Sequence, residues 1–332
     1  MRFGPVPLEA ATGSILAHSV PLPQGRLRKG QILGAAEIAA LRASGLQEVV
    51  VATPEPGDVT EDVAAERLAR ALAPEGAGFD LTPATTGRVN LKARGPGVLM
   101  VDVGRVHALN RLDPSITLAT LAPFSRTWAG LLCGTVKIIA YAVAGDALDR
   151  ACALAAGAVR VCPVRRRTAG LILSETPEMD AKLTRKGQKA IEARLAALGV
   201  DLVAVRKVAH EEAAMAAALA GLPGEMALIL TGSATSDLHD TAPNAVRLAG
   251  GQVARFGMPV DPGNLLFHGK HAGRPVIGLP GCARSPALNG ADWVLERFAC
   301  GLDPSDDDIA AMGVGGLLKE IPVRGRLREA QD

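Results

Sequence analysis

The chain has 332 residues, and its 36 lysines and arginines nearly balance 34 aspartates and glutamates, for a formal net charge of +2. Hydrophobic residues make up 48% and charged residues 21%, which supplies a sizeable core and excludes global disorder, and the length predicts about two or three domains. Balanced charge and aromatics at only 3% exclude nucleic acid as the main partner, since that needs a strong basic stripe and stacking rings.

Taken in order, residues 1–56 read as a small β-rich region. Strands are expected at 15–17 and 27–33, the second with a turn at Gly30. A helix at 35–44 stops at Gly45, and 49–52 is a buried strand. Pro54, Pro56 and Gly57 mark a boundary. Residues 57–160 form an α+β middle domain. Its first helix, 58–72, places Val63, Leu68 and Leu72 on one face. Short strands follow at 97–103, 117–121 and 135–143, then a helix at 146–156. Within this region Arg88 and Asn90 sit in a stretch of hydroxyls and glycine at 85–90. It is either a plain loop or a phosphate or carboxylate site built on the bidentate arginine fork.

From 161 to 302 strands and helices alternate. Strands are expected at 170–175, 202–205, 227–230 and 253–257, and helices at 182–198, 211–219 and 242–248. The first helix turns Leu183, Ile191, Leu195 and Leu198 inward and stops at Gly199. Strands 265–270 and 275–279 form a hairpin through 271–274, with His268 and His271 on its surface, and a last helix ends near Cys300. Residues 303–332 read as a tail or linker. The fold class is α/β: a mostly parallel, three-layer sheet domain preceded by smaller β-rich and α+β regions.

The odd number of cysteines, with no C-x-x-C pair, argues against a disulfide scaffold or structural zinc and points to a reducing compartment. No signal-like apolar core opens the chain and no apolar run reaches ~18 residues, so no membrane partner is expected and the cytoplasm follows by elimination.

The chemistry concentrates at the carboxyl ends of the later strands, where open parallel sheets bind ligands. The apolar strand 227–230 runs into Thr231, Gly232, Ser233, Ala234, Thr235 and Ser236, then Asp237 and Asp240, with Thr241 as a cap and Pro243 in the first turn of a helix. Small residues let backbone N–H groups approach an oxyanion, and the helix start adds its positive dipole end. Pro262, Gly263 and Asn264 form a second candidate loop. Pro280, Gly281, Cys282 and Ser285 form a third. Glu175 ends the first strand beside them. Asp240 and Glu175 are the candidate catalytic carboxylates, and Asp240 is the candidate ligand of a Mg²⁺ ion bridging to phosphate. No G-x-x-x-x-G-K-[ST] or strand-borne G-x-G-x-x-G is present, and no G-x-S-x-G surrounds Ser233 or Ser236, which removes the P-loop, standard dinucleotide and serine-hydrolase readings.

The set 231–235 followed by Asp240, Thr241 and Pro243, then 259–263, then Leu279-Pro280-Gly281, resembles in order the segments of the molybdopterin-binding domain family shared by MogA, MoeA and gephyrin. Residues 15–52 resemble the β piece that precedes this domain in MoeA-type proteins. The chain departs from the family where Ser233 replaces a glycine, where Cys282-Ala283 replace Asn-Pro, and in lacking the Asp-Asn-Ser-Ala-Met-Asp-Gly-Tyr segment. The resemblance implies a divergent MoeA-like member that binds molybdopterin or a related pterin phosphate in molybdenum-cofactor biosynthesis. It leaves three roles open: a Mg²⁺-dependent molybdotransferase-like enzyme inserting molybdate or exchanging a nucleotide; a non-catalytic cofactor carrier or sensor; and a nucleotide pyrophosphatase. Implied partners are a nucleotidyltransferase or a molybdoenzyme, and further copies of the chain in a homo-oligomer.

Overall fold

The structure, a computed structural model, describes residues 1–261 and 263–318. The chain divides into two compact units, Met1–Gly95 with Leu99–Cys162, and Pro96–Val98 with the chain from Pro163 onward. No helix among the described residues is long and apolar enough to cross a membrane.

The first unit opens with a small sheet in which Arg2–Pro7 and Ile15–Leu16 flank Glu48–Thr53, both antiparallel to it. The helix Ala35–Ala43 buries Ile38 and Leu41 against Leu8, Leu16, Leu33 and Val51. A second sheet is antiparallel and orders its strands Ile116–Thr120, Leu132–Ile138, Arg88–Ala93, Phe79–Leu81. The helix Glu61–Leu72 packs Ala64, Ala65, Leu68 and Leu72 into this core, and Val63, expected on the inner face, is 51% exposed. Alanines fill the inward positions, which apolar side-chain size alone does not reveal. Strands stand at Gly97–Val101 and Ile116–Thr120, near the expected 97–103 and 117–121, and between them lies an unexpected helix, Val103–Leu112, started by Asp102, whose side chain accepts from the Arg105 N–H at 3.0 Å. The expected strand 135–143 is broken after Ile138 and resumes at Ala142–Ala144.

The second unit is built on one six-stranded sheet. Its strands are β1 (Thr168–Glu175), β2 (Asp201–Ala209), β3 (Met226–Leu230), β4 (Gln252–Met258), β5 (Asn264–His271) and β6 (Arg274–Leu279), in the order β2-β1-β3-β6-β5-β4. β2, β1, β3 and β6 are parallel; β5 runs antiparallel to both β6 and β4, so β4 points the same way as the parallel strands. The sheet is therefore mixed: a parallel half completed by a hairpin half. The reversal comes from the turn at Ala272 and Gly273, both at positive φ (49° and 76°), the two-residue geometry that matches strand twist. His268 and His271, expected on the surface of this hairpin, are buried. His268 lies against Phe298, and burial holds its imidazole below the ordinary histidine pKa.

Helices α1 (Ala181–Leu198), α2 (Glu212–Ala220), α3 (Thr241–Leu248) and α4 (Gly290–Ala299) connect and cover the sheet. Ile172, Ala227, Ile229 and Val276 pack with Met215 and Leu219 of α2 and Val246 of α3. Alternate residues face the other way. Leu230 is among them, and a Cβ at Gly187 of α1 would lie 2.7 Å from its Cδ2. With both faces covered, β3 is buried along its whole length, as a continuous apolar run demands. In α1, Leu183 is 42% exposed rather than inward, and Thr184 and Gly187 take the buried positions. Gly199 ends this helix at φ 67°, the left-handed stop expected of it. The stretch from 303, expected as a tail or linker, carries the helix Asp306–Ala311 and reaches the loop after β4 through Gly316 and Leu318.

Candidate functional site

Three of the expected segments meet at the carboxyl ends of β1, β3 and β6. Gly232, just past β3, lies so close to the end of β1 that a Cβ on it would sit 2.7 Å from the Ser174 carbonyl oxygen and 3.0 Å from the Thr176 nitrogen. Only glycine fits between these backbone atoms. The contact is held by the Gly232 N–H, which donates to Ser174 Oγ at 3.0 Å. The same hydroxyl bonds His210 Nδ1 at 2.9 Å, and the His210 N–H donates to the Glu175 carbonyl at 2.9 Å. Ser174 is buried and His210 half-buried. From the third segment, the Arg284 guanidinium donates to the Thr231 carbonyl.

Past Gly232 the loop turns outward. The N–H groups of Ser233, Ala234 and Thr235 make no hydrogen bond with any described residue. Thr231 and Thr235 are buried, and Ser233, Ala234 and Ser236 are exposed. The loop is closed by Asp240, which caps α3, the place expected for Thr241. Its Oδ1 accepts from the Thr241 N–H at 2.6 Å and its Oδ2 from the Ser236 N–H at 2.7 Å. Burial pushes its carboxyl up, but these amide donors, with the nearby His210, outweigh burial and hold it below the ordinary aspartate value. Asp237 holds the turn in a smaller way, its Oδ1 accepting from the His239 N–H at 2.7 Å. Each Asp240 oxygen accepts one main-chain N–H, so the carboxylate organises the loop as a cap and keeps further lone pairs for another partner. Among the described residues no three His, Cys, Asp or Glu side chains converge on one point.

The third segment is a short turn, Gly281–Arg284, after buried Pro280. Cys282 is exposed on it. Its anchor, absent from the sequence-based set, is Arg194 of α1. This buried guanidinium pairs with Asp292 at 2.6 Å and donates to the carbonyls of Ala283 (2.8 Å), Ser285 (2.7 Å) and Ala287 (3.1 Å). A groove of ≈ 480 Å³ opens beside Glu175, lined also by Thr176, Lys207, His210 and Glu211.

The remaining candidates lie elsewhere. Pro262 is outside the described residues. Gly263 is exposed. Asn264 is buried, its Oδ1 accepting from the Leu266 N–H at 3.2 Å while its Nδ2 has no partner. Their loop is at the same end of the sheet but is occupied by the chain itself: the Asp261 N–H donates to the Gly316 carbonyl at 2.7 Å, and Asp261 Oδ1 accepts from the Leu318 N–H at 2.9 Å. Arg88 and Asn90 belong to the first unit. The stretch around them is a hairpin turn, with Thr85 and Arg88 exchanging both backbone bonds at 3.1 Å across Thr86 and Gly87. Asn90 serves that sheet, its Oδ1 accepting from the Thr135 hydroxyl at 2.9 Å.

Residues 5–53 match the model of a family described as a domain of unknown function (DUF8806). No curated protein matches the chain. Among solved structures, the crystal structure of the molybdopterin biosynthesis MoeA protein from Pyrococcus horikosii is similar over 90% of this chain and 75% of that one, at 12% identity and a TM-score of 0.32. At those values the likeness transfers neither fold nor function.

Proposed function

We propose that the loop 231–236 binds the phosphate of a small molecule, and that this molecule is a pterin phosphate of the molybdopterin type used in making or handing on the molybdenum cofactor. The observation that supports the phosphate is the run of N–H groups at Ser233, Ala234 and Thr235 that no described residue accepts from. Successive free amides at the carboxyl end of a parallel strand, held by a glycine no other residue can replace, form an anion cradle. The order of the three sequence segments supports the pterin. The groove beside Glu175 and His210, at ≈ 480 Å³, has the size of a small-molecule site.

Among the open roles we take binding and hand-off, in which Asp240 need do no more than cap the loop, as it does here. In this reading Thr231 to Ser236 hold the ligand, Gly232 and Ser174 fix the cradle against β1, and Asp240 sets its shape as a positioning residue.

The test is mass spectrometry of the small molecule that copurifies with the chain, followed by titration with that molecule. A pterin phosphate is expected. Ala234→Asp puts a carboxylate beside the free amides at an exposed position, so it should fold normally and bind at least ten-fold more weakly. A copurifying molecule without phosphate, or an unchanged affinity in Ala234→Asp, overturns the reading. Turnover with molybdopterin, molybdate and Mg²⁺ would restore the transferase role.

A further inference from the structure

We propose that the first half of α1, with Arg284, forms a second anion site: a groove for a small molecule carrying a di- or triphosphate chain. It lies on α1 rather than on the amides of 231–236 and does not depend on them.

Lys182, Arg185, Lys186 and Lys189 recur at i, i+3, i+4 and i+7, so the helix puts all of them on one face. All are exposed, and none of their side chains makes an ion pair or hydrogen bond with a described residue. Some surface cations elsewhere in the chain are paired, such as Arg70 with Glu66, Arg94 with Asp80 and Lys270 with Asp303, and others, such as Lys92, Arg111 and Arg160, are as bare as these; what sets the stripe apart is that its four cations share one helix face. The bare stripe works against its own helix twice. Like charges three and four residues apart repel, and cations near a helix start oppose its dipole. Asp180 caps the helix, but its Oδ1 is used by the Lys182 N–H, and no acid of the helix lies among these cations; the first is Glu192, which bonds Gln188. Local rules broken without a compensating contact mark a functional surface.

The stripe also lines a concavity. With Arg284 it borders a groove of ≈ 500 Å³ that no acid lines and that Ala190 and Pro286 help to floor. Arg284 is held there by close packing: a Cβ on Gly187 would lie 3.3 Å from its Cγ. Its Nη2 donates to the Thr231 carbonyl, while its Nε is buried without a partner among the described residues. That is a charge with a donor unspent inside the groove wall.

The dimensions select the ligand class. Lys182 to Lys189 spans ~10 Å along the axis, longer than one phosphate and suited to a chain of two or three. The volume lies in the ~300–1,000 Å³ range of small-molecule sites. A nucleic acid would want a longer track and aromatic rings to stack on, and the lining has none.

Isothermal titration of the full chain at physiological salt, with tripolyphosphate, adenosine triphosphate and orthophosphate as probes, tests this. Tripolyphosphate and the nucleotide are expected to bind, and orthophosphate much more weakly at this site. The double variant Lys182→Gln with Lys186→Gln should weaken tripolyphosphate at least ten-fold without lowering the thermal midpoint, because it relieves repulsion. Ala234→Asp should remove only the loop's own share of phosphate binding and keep the tripolyphosphate component that the double variant weakens, which separates this site from the loop. The proposal is overturned if tripolyphosphate does not bind, if the double variant binds it as well as the wild type, or if a single-stranded oligonucleotide binds more tightly and displaces it.

Discussion

The loops at 231–240 and 259–264 leave the same end of one sheet and look alike in sequence, each with glycine, compact residues and an aspartate. Their main chains are used in different ways. In the first, the aspartate folds the loop on itself through Ser236 and Thr241, and the amides of Ser233, Ala234 and Thr235 stay open. In the second, the aspartate and its own N–H are taken by Leu318 and Gly316. A Cβ on Gly313 would come within 3.4 Å of the Pro259 ring, so the covering segment lies directly on this loop. Composition shows that a backbone can be approached; what approaches it depends on the rest of the chain.

The largest expected effect contrasts one glycine from each loop. Gly232 is wedged between backbone atoms at 2.7 and 3.0 Å, none of which can step aside. Gly232→Ala should lose stability toward the upper end of the ~1–3 kcal/mol typical of overpacking. Gly263 has φ +94° with nothing within 4 Å of a Cβ, so Gly263→Ala meets only backbone strain, ~1 kcal/mol. Urea midpoints of the two variants measure the contrast. Equal losses, or the reverse order, would break it.

Asp240 gives the next effect. Asp240→Ala removes a helix cap and should cost about 1 kcal/mol, whereas Asp240→Asn, which still caps, should cost a few tenths. The pH dependence has a definite sign. The folded aspartate is held below its ordinary pKa, so its ionisation stabilises the fold above that value, and the contribution is lost as pH falls through the depressed one. The stability gap between wild type and Asp240→Asn should therefore close in acid. A gap that is constant down to strongly acidic pH would show that the carboxylate charge contributes nothing.

Local signals made much of this unit legible. The run 226–230 reads as a strand buried on both faces because a parallel sheet covered by helices requires it. Gly199 and Gly273 mark the stops at which the left-handed conformation is needed. The groups that fix the site were not legible, because they are joined only by the fold. Ser174 meets His210 across 36 residues, and Arg194 meets Asp292 across 98. Arg194 reads locally as one more charge on a basic helix, and only burial shows it to be the anchor of the third loop. The exposed Leu183 and Val63 err in the opposite sense: both helices bury alanine, glycine or threonine where a pattern of large apolar residues points elsewhere. Asp240 caps α3, and its place just before Thr241 and Pro243 suits a cap and a site carboxylate alike.

The smallest effect tests whether the covered loop belongs to the site at all. Asp261→Ala removes the acceptor of the Leu318 N–H, a bond worth ~0.5–1.5 kcal/mol. Amide exchange at Leu318 should quicken, since its protection rests on that carboxylate. Affinity for the copurifying phosphate ligand should stay within two-fold, because the open amides of Ser233, Ala234 and Thr235 are untouched. If releasing Leu318 instead changes ligand affinity ten-fold, the 259–264 loop is part of the site, the covering segment competes with the ligand, and the two loops differ in regulation rather than in role.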